Sequence, residues 1–250
     1  NDNTCTIAKQ YGAEIYQFRY TGGWPKKRQW AMDNLAIRNP WILLLDADES
    51  VSDALREELK SIVEHDEKAA DGYWITLKLF FLGRELHHGA SGLRKLSFFR
   101  TGKGRFEKRF TRQDISMADI EIHEHTLVDG YESSCKGHII HRNFNTIDRY
   151  IIKHNEYSNW ASRLYLEKEN GAADTESRKA KIFGNQSERR RFLKNILMNI
   201  PGSPVILFVY FYCIRLGFLD GTPGLIYCSL QAIQHFNVKV KLYELKLKRY

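Results

Sequence analysis

The 250-residue sequence predicts an α/β fold followed by a helical C-terminal region. Helix-like and strand-like segments alternate over the first 80 residues, which is typical of an α/β sheet with crossover connections. The short apolar run from Trp41 to Leu45 has the continuous hydrophobicity of a strand buried on both faces, as in a parallel sheet. Beyond residue 146, long amphipathic and apolar segments replace the alternation.

Capping residues, glycines and prolines divide the first 81 residues into six elements. They are a helix opening at Asp2 or Asn3 and ending before Gly12, a strand at 13–18, a helix between Pro25 and Pro40, a strand at 41–45, a helix at 52–65 and a strand at 72–81. Three further strands at 94–100, 119–125 and 136–141 precede a long helix from 146 to 171. We expect three regions: 1–145, 146–195 and 196–250.

The net charge of +8 belongs to the C-terminal third of the chain. Residues 178–250 hold 13 Lys and Arg against 3 Asp and Glu, whereas the remainder holds 25 against 27. Such asymmetry predicts an anionic partner for that third alone. The four cysteines are scattered and form no Cys-x-x-Cys pair, so neither a zinc knuckle nor a disulfide framework is indicated, and a reducing, cytosolic location is favoured.

The acidic group of the stretch "NPWILLLDADES" is the strongest chemical signal. Asp46 and Asp48 directly follow the apolar strand, and ligands bind at the carboxyl ends of strands in α/β sheets. Alternate residues of an extended chain point the same way, so the two carboxylates can converge on Mg²⁺ or Mn²⁺ and thereby hold a diphosphate. The alternative is that these acids only lie near the N-terminus of the next helix, where the helix dipole favours negative charge.

These residues resemble the Asp-x-Asp segment of family 2 glycosyltransferases, which have the GT-A fold. The resemblance extends to "NDNTCTIAKQYGAEIYQF", "GGWPKKRQWAMDNL" and "IEIHEHTLVDG", and so covers nearly the whole chain. The tail segments "RYIIKHNEYSNWAS" and "GFLDGTPGLIYCSLQAIQHF" are similar to a bacterial subgroup that builds lipopolysaccharide core or exopolysaccharide. The tail is the more specific match, since Asp-x-Asp is shared by many transferases.

The resemblance implies an inverting hexosyltransferase. Its donor is a nucleotide sugar, with a UDP-hexose favoured, and its acceptor is lipid-linked or part of a polysaccharide. Family members carry two strands before the segment that matches residue 1. We therefore expect an N-terminally truncated piece that lacks part of its donor pocket, and the opening on a helix rather than a strand agrees with this.

The resemblance also assigns roles on the donor side. Asp48 is the first choice as direct ligand of the metal, and Asp46 contacts the donor ribose or shares the metal. Arg28, with Lys27 as the alternative, faces the donor phosphates, where a cation is useful; a solvated helix face is the competing interpretation. Asp2 lies in the motif that opens the first helix and is assigned to donor binding.

Glu124 is the predicted general base, because an inverting transfer needs a carboxylate to take the proton of the acceptor hydroxyl. His123 and His125 flank it on a strand and point the opposite way, so His123 is a metal ligand only if the chain bends. Asp129 is the second choice as base, although "DG" first indicates a turn.

The remaining histidines carry weaker assignments. His87 and His88 lie in a glycine-rich loop and are assigned to the acceptor side. His138 and His141 flank an apolar pair, which favours a structural role. For "KHN" at 153–155 the sequence indicates only packing and capping contacts.

The tail predicts contact with an anionic membrane from the cytoplasmic side. No apolar run reaches the ~18 residues of a membrane span. Aromatic and apolar helices flanked by cations can lie in the membrane interface, and Arg189, Arg190, Arg191 and Lys194 are the predicted contacts. The alternative is that 205–218 packs as a core helix; nucleic acid is disfavoured, because no nucleic-acid-binding motif is present.

Two other functions remain open at this point. A haloacid-dehalogenase-like phosphatase also places Asp-x-Asp after a strand, with its first Asp as nucleophile. Ser50 stands where that family has Thr or Val, and the later Lys and acidic pair are not evident. The non-enzymatic alternative is a peripheral membrane scaffold with a degenerate transferase domain.

Overall fold

A computed structural model describes residues 2–22, 24–108, 125–142, 146–170 and 186–248, with side chains from 192 onward in the last range. Its helices are α1 (Thr4–Gln10), α2 (Lys27–Asn34), α3 (Asp53–Glu64), α4 (Ile147–Glu169), α5 (Gln186–Asn199), α6 (Ser203–Val209) and α7 (Gly221–Leu247). Its strands are β1 (Trp41–Leu43), β2 (Glu49–Val51), β3 (Gly72–Phe81), β4 (Arg84–Glu85), β5 (Leu93–Arg100), β6 (Gly104–Phe106), β7 (Thr126–Val128) and β8 (Glu132–Arg142). The α/β class is confirmed.

The main sheet is mixed rather than parallel. Its order is β1-β5-β3-β8-β2, with β4 paired to β3, while β6 and β7 form a separate pair. Among the neighbours along this order, only β3 and β8 run parallel; β1 pairs with β5 antiparallel, Trp41 opposite Arg100. The predictions of a parallel, doubly buried strand at 41–45 and of a strand at 13–18 are therefore wrong: Leu45 is exposed, and residues 13–18 form no strand.

The first core lies between α3 and one face of the sheet. It contains Trp41, Leu55, Leu59, Tyr73, Ile75, Phe98 and Ile139. Helix α3 begins where the sequence predicts, because the Ser52 hydroxyl accepts a hydrogen bond from the Leu55 backbone N–H at 3.2 Å. The Leu55 backbone passes so close to β8 that a Cβ added to Gly137 would lie 2.4 Å from the Leu55 Cα. This contact fixes the position of β8, which carries part of the candidate site.

A second core joins the C-terminal helices to the sheet. Phe81 at the end of β3 meets the Tyr150 ring of α4 edge-on, with centroids 5.7 Å apart, and Ile226 of α7 packs on the same cluster. Gln231 of α7 donates a hydrogen bond to the Tyr150 hydroxyl at 2.9 Å. Trp160 of α4 is buried where α4 packs against α7. Helices α4 and α7 are therefore packed against the end of β3.

The C-terminal helices also bear on the question of a membrane span. Within the described ranges, no helix by itself is both long and apolar enough to cross a membrane. Ser203–Ile214 and Gly217–Leu247, bent by 71° at a short break, reach that length and composition only as a pair.

Replacing Gly137 tests the close approach of α3 to β8. We expect Gly137→Ala to lower the free energy of unfolding by about 2 kcal/mol or more, because the new methyl group meets backbone atoms that cannot rotate away. Lys136→Ala, one residue earlier on the exposed side of β8, is the control and should change it little. Urea unfolding measures both, and equal stability of the two variants would contradict the close packing.

Candidate active site

An acidic turn crosses the end of the main sheet. Strand β1 pairs with β5 at one edge and β2 pairs with β8 at the other, so the residues between them pass over the central strands. The turn is closed by a hydrogen bond from the Glu49 backbone N–H to the Asp46 carbonyl at 3.0 Å. Glu49 stands opposite His141 in the β2–β8 register. Three carboxylates are thereby brought to one end of the sheet.

Asp46 is surrounded by cations. Its carboxylate forms an ion pair with Arg28 of α2 and a second with Lys95 of β5, whose Nζ lies 3.1 Å away. Burial by itself would raise the pKa of Asp46, but the charges of Lys95 and Arg28 outweigh it and lower the pKa. Asp46 therefore stays ionised at neutral pH.

Glu49 contacts both Lys95 and the backbone of Asp46. Its side chain is only 2% exposed and pairs with the Lys95 ammonium at 2.8 Å. It also accepts a hydrogen bond from the Asp46 backbone N–H at 2.9 Å. Neither Lys95 nor Glu49 was predicted as a site residue. The available signal was Lys95 in the strand "LRKLSFFR", because a lysine beside the buried residues of a strand needs a carboxylate partner.

Asp48 has a different partner. Its Oδ2 lies 3.3 Å from Nε2 of His141, and its carbonyl accepts a hydrogen bond from the Arg142 backbone N–H at 2.9 Å. The hydrogen bond with His141 lowers the pKa of Asp48 against the opposing effect of burial, and the positive charge of Lys153 lowers it further. The expectation of a purely structural His141 missed this contact, because it depends on the pairing of β2 with β8.

Helix α4 completes the surroundings of the two aspartates. Lys153 acts on Asp48, and its Nζ lies 5.8 Å from the centre of the Tyr157 ring. Burial raises the pKa of Tyr157, and the negative charges of Asp48 and Asp46 raise it further, so its hydroxyl remains protonated. A neutral hydroxyl at this place can donate a hydrogen bond to an anionic ligand.

The segment "KHN" thus has three separate roles, where the sequence indicated only packing and capping. The positive charge of Lys153 acts on the Asp48 carboxylate. His154 stacks on Tyr150 with centroids 3.7 Å apart, and burial lowers the pKa of its imidazole. The Asn155 side chain accepts a hydrogen bond from Lys241 of α7 at 2.6 Å.

The other predicted donor-side residues lie elsewhere. Asp2 is exposed, and its carboxylate accepts a hydrogen bond from the Thr4 backbone N–H at 3.1 Å, at the start of α1. Lys27 is exposed at the start of α2, one residue before Arg28. The structure therefore brings Arg28, Asp46 and Asp48 together, whereas the Asp2 carboxylate is engaged at the start of α1.

The remaining predicted residues either lie outside the described part of the chain or form contacts other than those expected. Glu124 and His123 lie outside the described residues, as do the side chains of Arg189, Arg190 and Arg191. His87 and His88 donate their backbone N–H groups to the Asp220 carboxylate, each at 2.9 Å. Asp129 is exposed in a turn before Gly130, as "DG" indicates.

The Asp48–His141 pair fits a divalent cation. Their N···O separation of 3.3 Å is close to the roughly 3 Å between adjacent ligands of an octahedral ion with bonds of about 2.1 Å. Among the described side chains, no three His, Cys, Asp or Glu residues form a ready metal cluster. Magnesium commonly uses one or two carboxylates and takes its other ligands from water and phosphate oxygens, so a site with few protein ligands can hold such an ion.

No family model matches the chain. It is 24% identical over 244 residues to a lipopolysaccharide core biosynthesis glycosyltransferase, LpsC, of Rhizobium meliloti strain 1021; the alignment covers 92% of this chain and 77% of the relative. The similarity therefore extends over the sheet, the acidic turn and the C-terminal helices.

The titration of Asp48 tests its contact with His141. In the presence of EDTA we expect the pKa of Asp48 to lie below the ordinary 3.8. We expect His141→Ala to raise the pKa of Asp48, and His138→Ala, on the same strand, to leave the pKa of Asp48 unchanged. Since the folded-state pKa is lowered, the contact stabilises the fold above pH 3.8, and this is lost as pH falls through the folded-state pKa. Carboxyl carbon NMR of Asp48 measures this, and identical titration in all three proteins would refute the contact.

The Lys95–Glu49 pair predicts a coupled loss of stability. Lys95→Met leaves the buried Glu49 carboxylate without its ammonium partner and should lower the free energy of unfolding by about 3 kcal/mol. Adding Glu49→Gln removes the buried charge, so the double variant should lose less than the sum of the single variants. Guanidinium unfolding of the four proteins forms a double-mutant cycle, and strict additivity would show that the two side chains are not coupled.

Proposed function

We propose that this protein is a glycosyltransferase that moves a sugar from a nucleotide-sugar donor to a saccharide acceptor with inversion. The observation that carries the proposal is the acidic turn: Asp48 beside His141, and Asp46 between Arg28 and Lys95, at one end of an α/β sheet. Carboxylates, an imidazole and two cations together suit a metal-bound diphosphate.

The similarity to the Rhizobium lipopolysaccharide core glycosyltransferase supports glycosyltransferase activity as a class. It extends over 92% of the chain, so it is not limited to the widely shared Asp-x-Asp segment. The finer assignments, which are a UDP-hexose donor and a lipid-linked, lipopolysaccharide or exopolysaccharide acceptor, come from the sequence resemblance to the family 2 subgroup and are part of the proposal.

Arg28 and Lys95 are the proposed diphosphate-facing cations. Both already lie against the Asp46 carboxylate, so a donor diphosphate bound there meets positive charge fixed by the fold. Fixed charge stabilises a leaving group more than mobile water does, because it needs no reorganisation during the reaction. Asp46 keeps its acceptor oxygens and can receive a hydrogen bond from a donor ribose hydroxyl.

Asp48 and His141 are the proposed ligands of Mg²⁺ or Mn²⁺, with Asp46 able to share the ion. When bound, the ion neutralises charge on the departing nucleoside diphosphate. His141 replaces His123 as the preferred imidazole, because its Nε2 lies 3.3 Å from the Asp48 carboxylate.

Glu124 remains the proposed base on sequence grounds. Its carboxylate takes the proton of the acceptor hydroxyl as that oxygen forms a bond to the anomeric carbon. The bond from the anomeric carbon to the phosphate oxygen breaks at the same time, and the nucleoside diphosphate leaves with the electron pair. Attack opposite to the leaving group inverts the anomeric configuration.

Activity tests use Asp48→Asn with Asp53→Asn as the matched control. Asp53 has the same side chain, is exposed and lies outside the site, in the first turn of α3. We expect nucleoside diphosphate release from the preferred sugar nucleotide, with membrane extract as acceptor, to fall more than about 100-fold in Asp48→Asn and in His141→Ala. Asp53→Asn should keep wild-type activity, and EDTA should stop it.

The same assay separates the alternatives. Equal activity of Asp48→Asn and wild type would contradict the proposal. Release of inorganic phosphate that is lost in Asp46→Asn and kept in Asp48→Asn would indicate the phosphatase. A folded protein that binds no sugar nucleotide in the presence of Mn²⁺ would favour the scaffold.

A further inference from the structure

The C-terminal helices hold most of the exposed apolar side chains. Of the 25 large hydrophobic residues exposed in the described part of the chain, 16 lie between residues 192 and 248. This stretch has little more than a quarter of the described side chains. Scattered exposed apolar residues are normal, whereas such a concentration marks an interaction surface.

Helix α7 carries an apolar stripe on its exposed side. Its exposed members are Leu225, Ile233, Phe236, Val240, Tyr243 and Leu247, and Ser229 completes a spacing of three and four residues. The stripe runs for about 33 Å, at 1.5 Å per residue. Cys228, Val238 and Leu242 on another side of the helix are buried, so the stripe is not the face that packs inward.

The exposed apolar surface is broader than one helix. Leu193 and Ile196 of α5 are exposed, and so are Val205 (66%) and Ile206 of α6. The turn between α6 and α7 adds Ile214 (67%), Leu216, Phe218 and Leu219. A two-helix seam is narrow and uses one stripe per helix, so it would leave much of this surface uncovered.

The surface belongs to a strongly cationic segment. Residues 186–248 contain 9 Lys and Arg against 3 Asp and Glu. Two of the acids are engaged: Glu244 pairs with Lys248 at 2.6 Å, and Asp220 binds the backbone N–H groups of His87 and His88. Among the cations, Lys246 pairs with Glu169, and Arg215, Lys239 and Lys241 donate to backbone or hydroxyl oxygens of the fold. The segment as a whole still combines a net positive charge with exposed apolar side chains, and this combination complements anionic lipid headgroups above hydrocarbon.

The turn between α6 and α7 is tied to the catalytic sheet. The Arg215 guanidinium donates to the Ser91 carbonyl at 2.6 Å, and Asp220 holds the His87–His88 backbone just after β4. A Cβ added to Gly217 would lie 2.7 Å from the Cys228 sulfur, so the turn and α7 are closely packed. Whatever binds the C-terminal helices is thereby held in a fixed relation to the loop between β4 and β5.

We propose that α5, α6 and α7 form a docking surface for an anionic lipid bilayer, with the apolar stripe of α7 lying in the plane of the interface. The helices do not cross the bilayer; they lie on it, and the loop between β4 and β5 is held beside it. The breadth of the apolar surface and its positive charge favour a bilayer over a second copy of the chain. This surface is independent of the chemistry at Asp48.

Flotation of the whole purified chain with vesicles tests the docking surface. The vesicles are phosphatidylcholine alone, or equal parts of phosphatidylcholine and phosphatidylglycerol, without donor or acceptor. We expect the wild type to float with the anionic vesicles and to be released by salt. The double variant Val240→Ser with Tyr243→Ser should lower the partition coefficient about tenfold, because both side chains enter the interface.

A matched control uses the same two residue types elsewhere. Val63 and Tyr131 are exposed to a similar degree, 44% and 71% against 46% and 65% for Val240 and Tyr243. Val63→Ser with Tyr131→Ser should bind vesicles like the wild type. Thermal unfolding verifies that both double variants are folded. If one of them is unfolded, the preference of the wild type for anionic over neutral vesicles tests the docking surface instead.

Three results would overturn the proposal. The wild type could bind neutral and anionic vesicles equally or not at all. The two double variants could bind alike. Sedimentation velocity could show a dimer that Val240→Ser with Tyr243→Ser dissociates, in which case a second copy covers the stripe. Because the assay involves no sugar transfer, its failure leaves the proposed enzymatic function untouched.

Discussion

The acidic turn depends on the ion pairs that the ammonium group of Lys95 forms with Asp46 and Glu49. The chain leaves β1 at one edge of the sheet and enters β2 at the other, and it carries Asp46, Asp48 and Glu49 across. Carboxylates this close repel one another unless a cation lies between them. Lys95 contacts both Asp46 and the buried Glu49, and Arg28 supports Asp46 from α2. The charge of the turn is therefore compatible with folding before any ligand binds.

The two aspartates lie two positions apart in the sequence but differ in their surroundings. Asp46 faces a guanidinium and an ammonium group, whereas Asp48 faces an imidazole. A carboxylate held between fixed cations suits orientation of a polar ligand, and a carboxylate beside an imidazole suits a metal ion. This division gives the proposed transferase a donor-facing acid and a metal-facing acid within one turn.

The C-terminal helices take part in the site as well as in the proposed membrane surface. Helix α4 turns Lys153 and Tyr157 toward the acids, and α7 holds α4 through Gln231 and Lys241. The turn before α7 is bonded to the loop between β4 and β5. One set of helices thus connects the acidic turn, the loop between β4 and β5 and the exposed apolar stripe, so a bilayer bound there would orient the whole sheet.

Capping and periodicity were enough to predict α1, α2, α3, β3, β5, β8 and α4 within a few residues, because those signals are local. From the charge at the end of an apolar strand and from the family resemblance, the sequence also predicted Asp46, Asp48 and Arg28 as residues of one site. Only the tertiary structure decided that β1 runs antiparallel to β5 and that His141, Lys95 and Lys153 surround the acids. Strand pairing and helix docking join residues 40 to 110 positions apart, and no local pattern specifies which distant side chain will meet a given carboxylate.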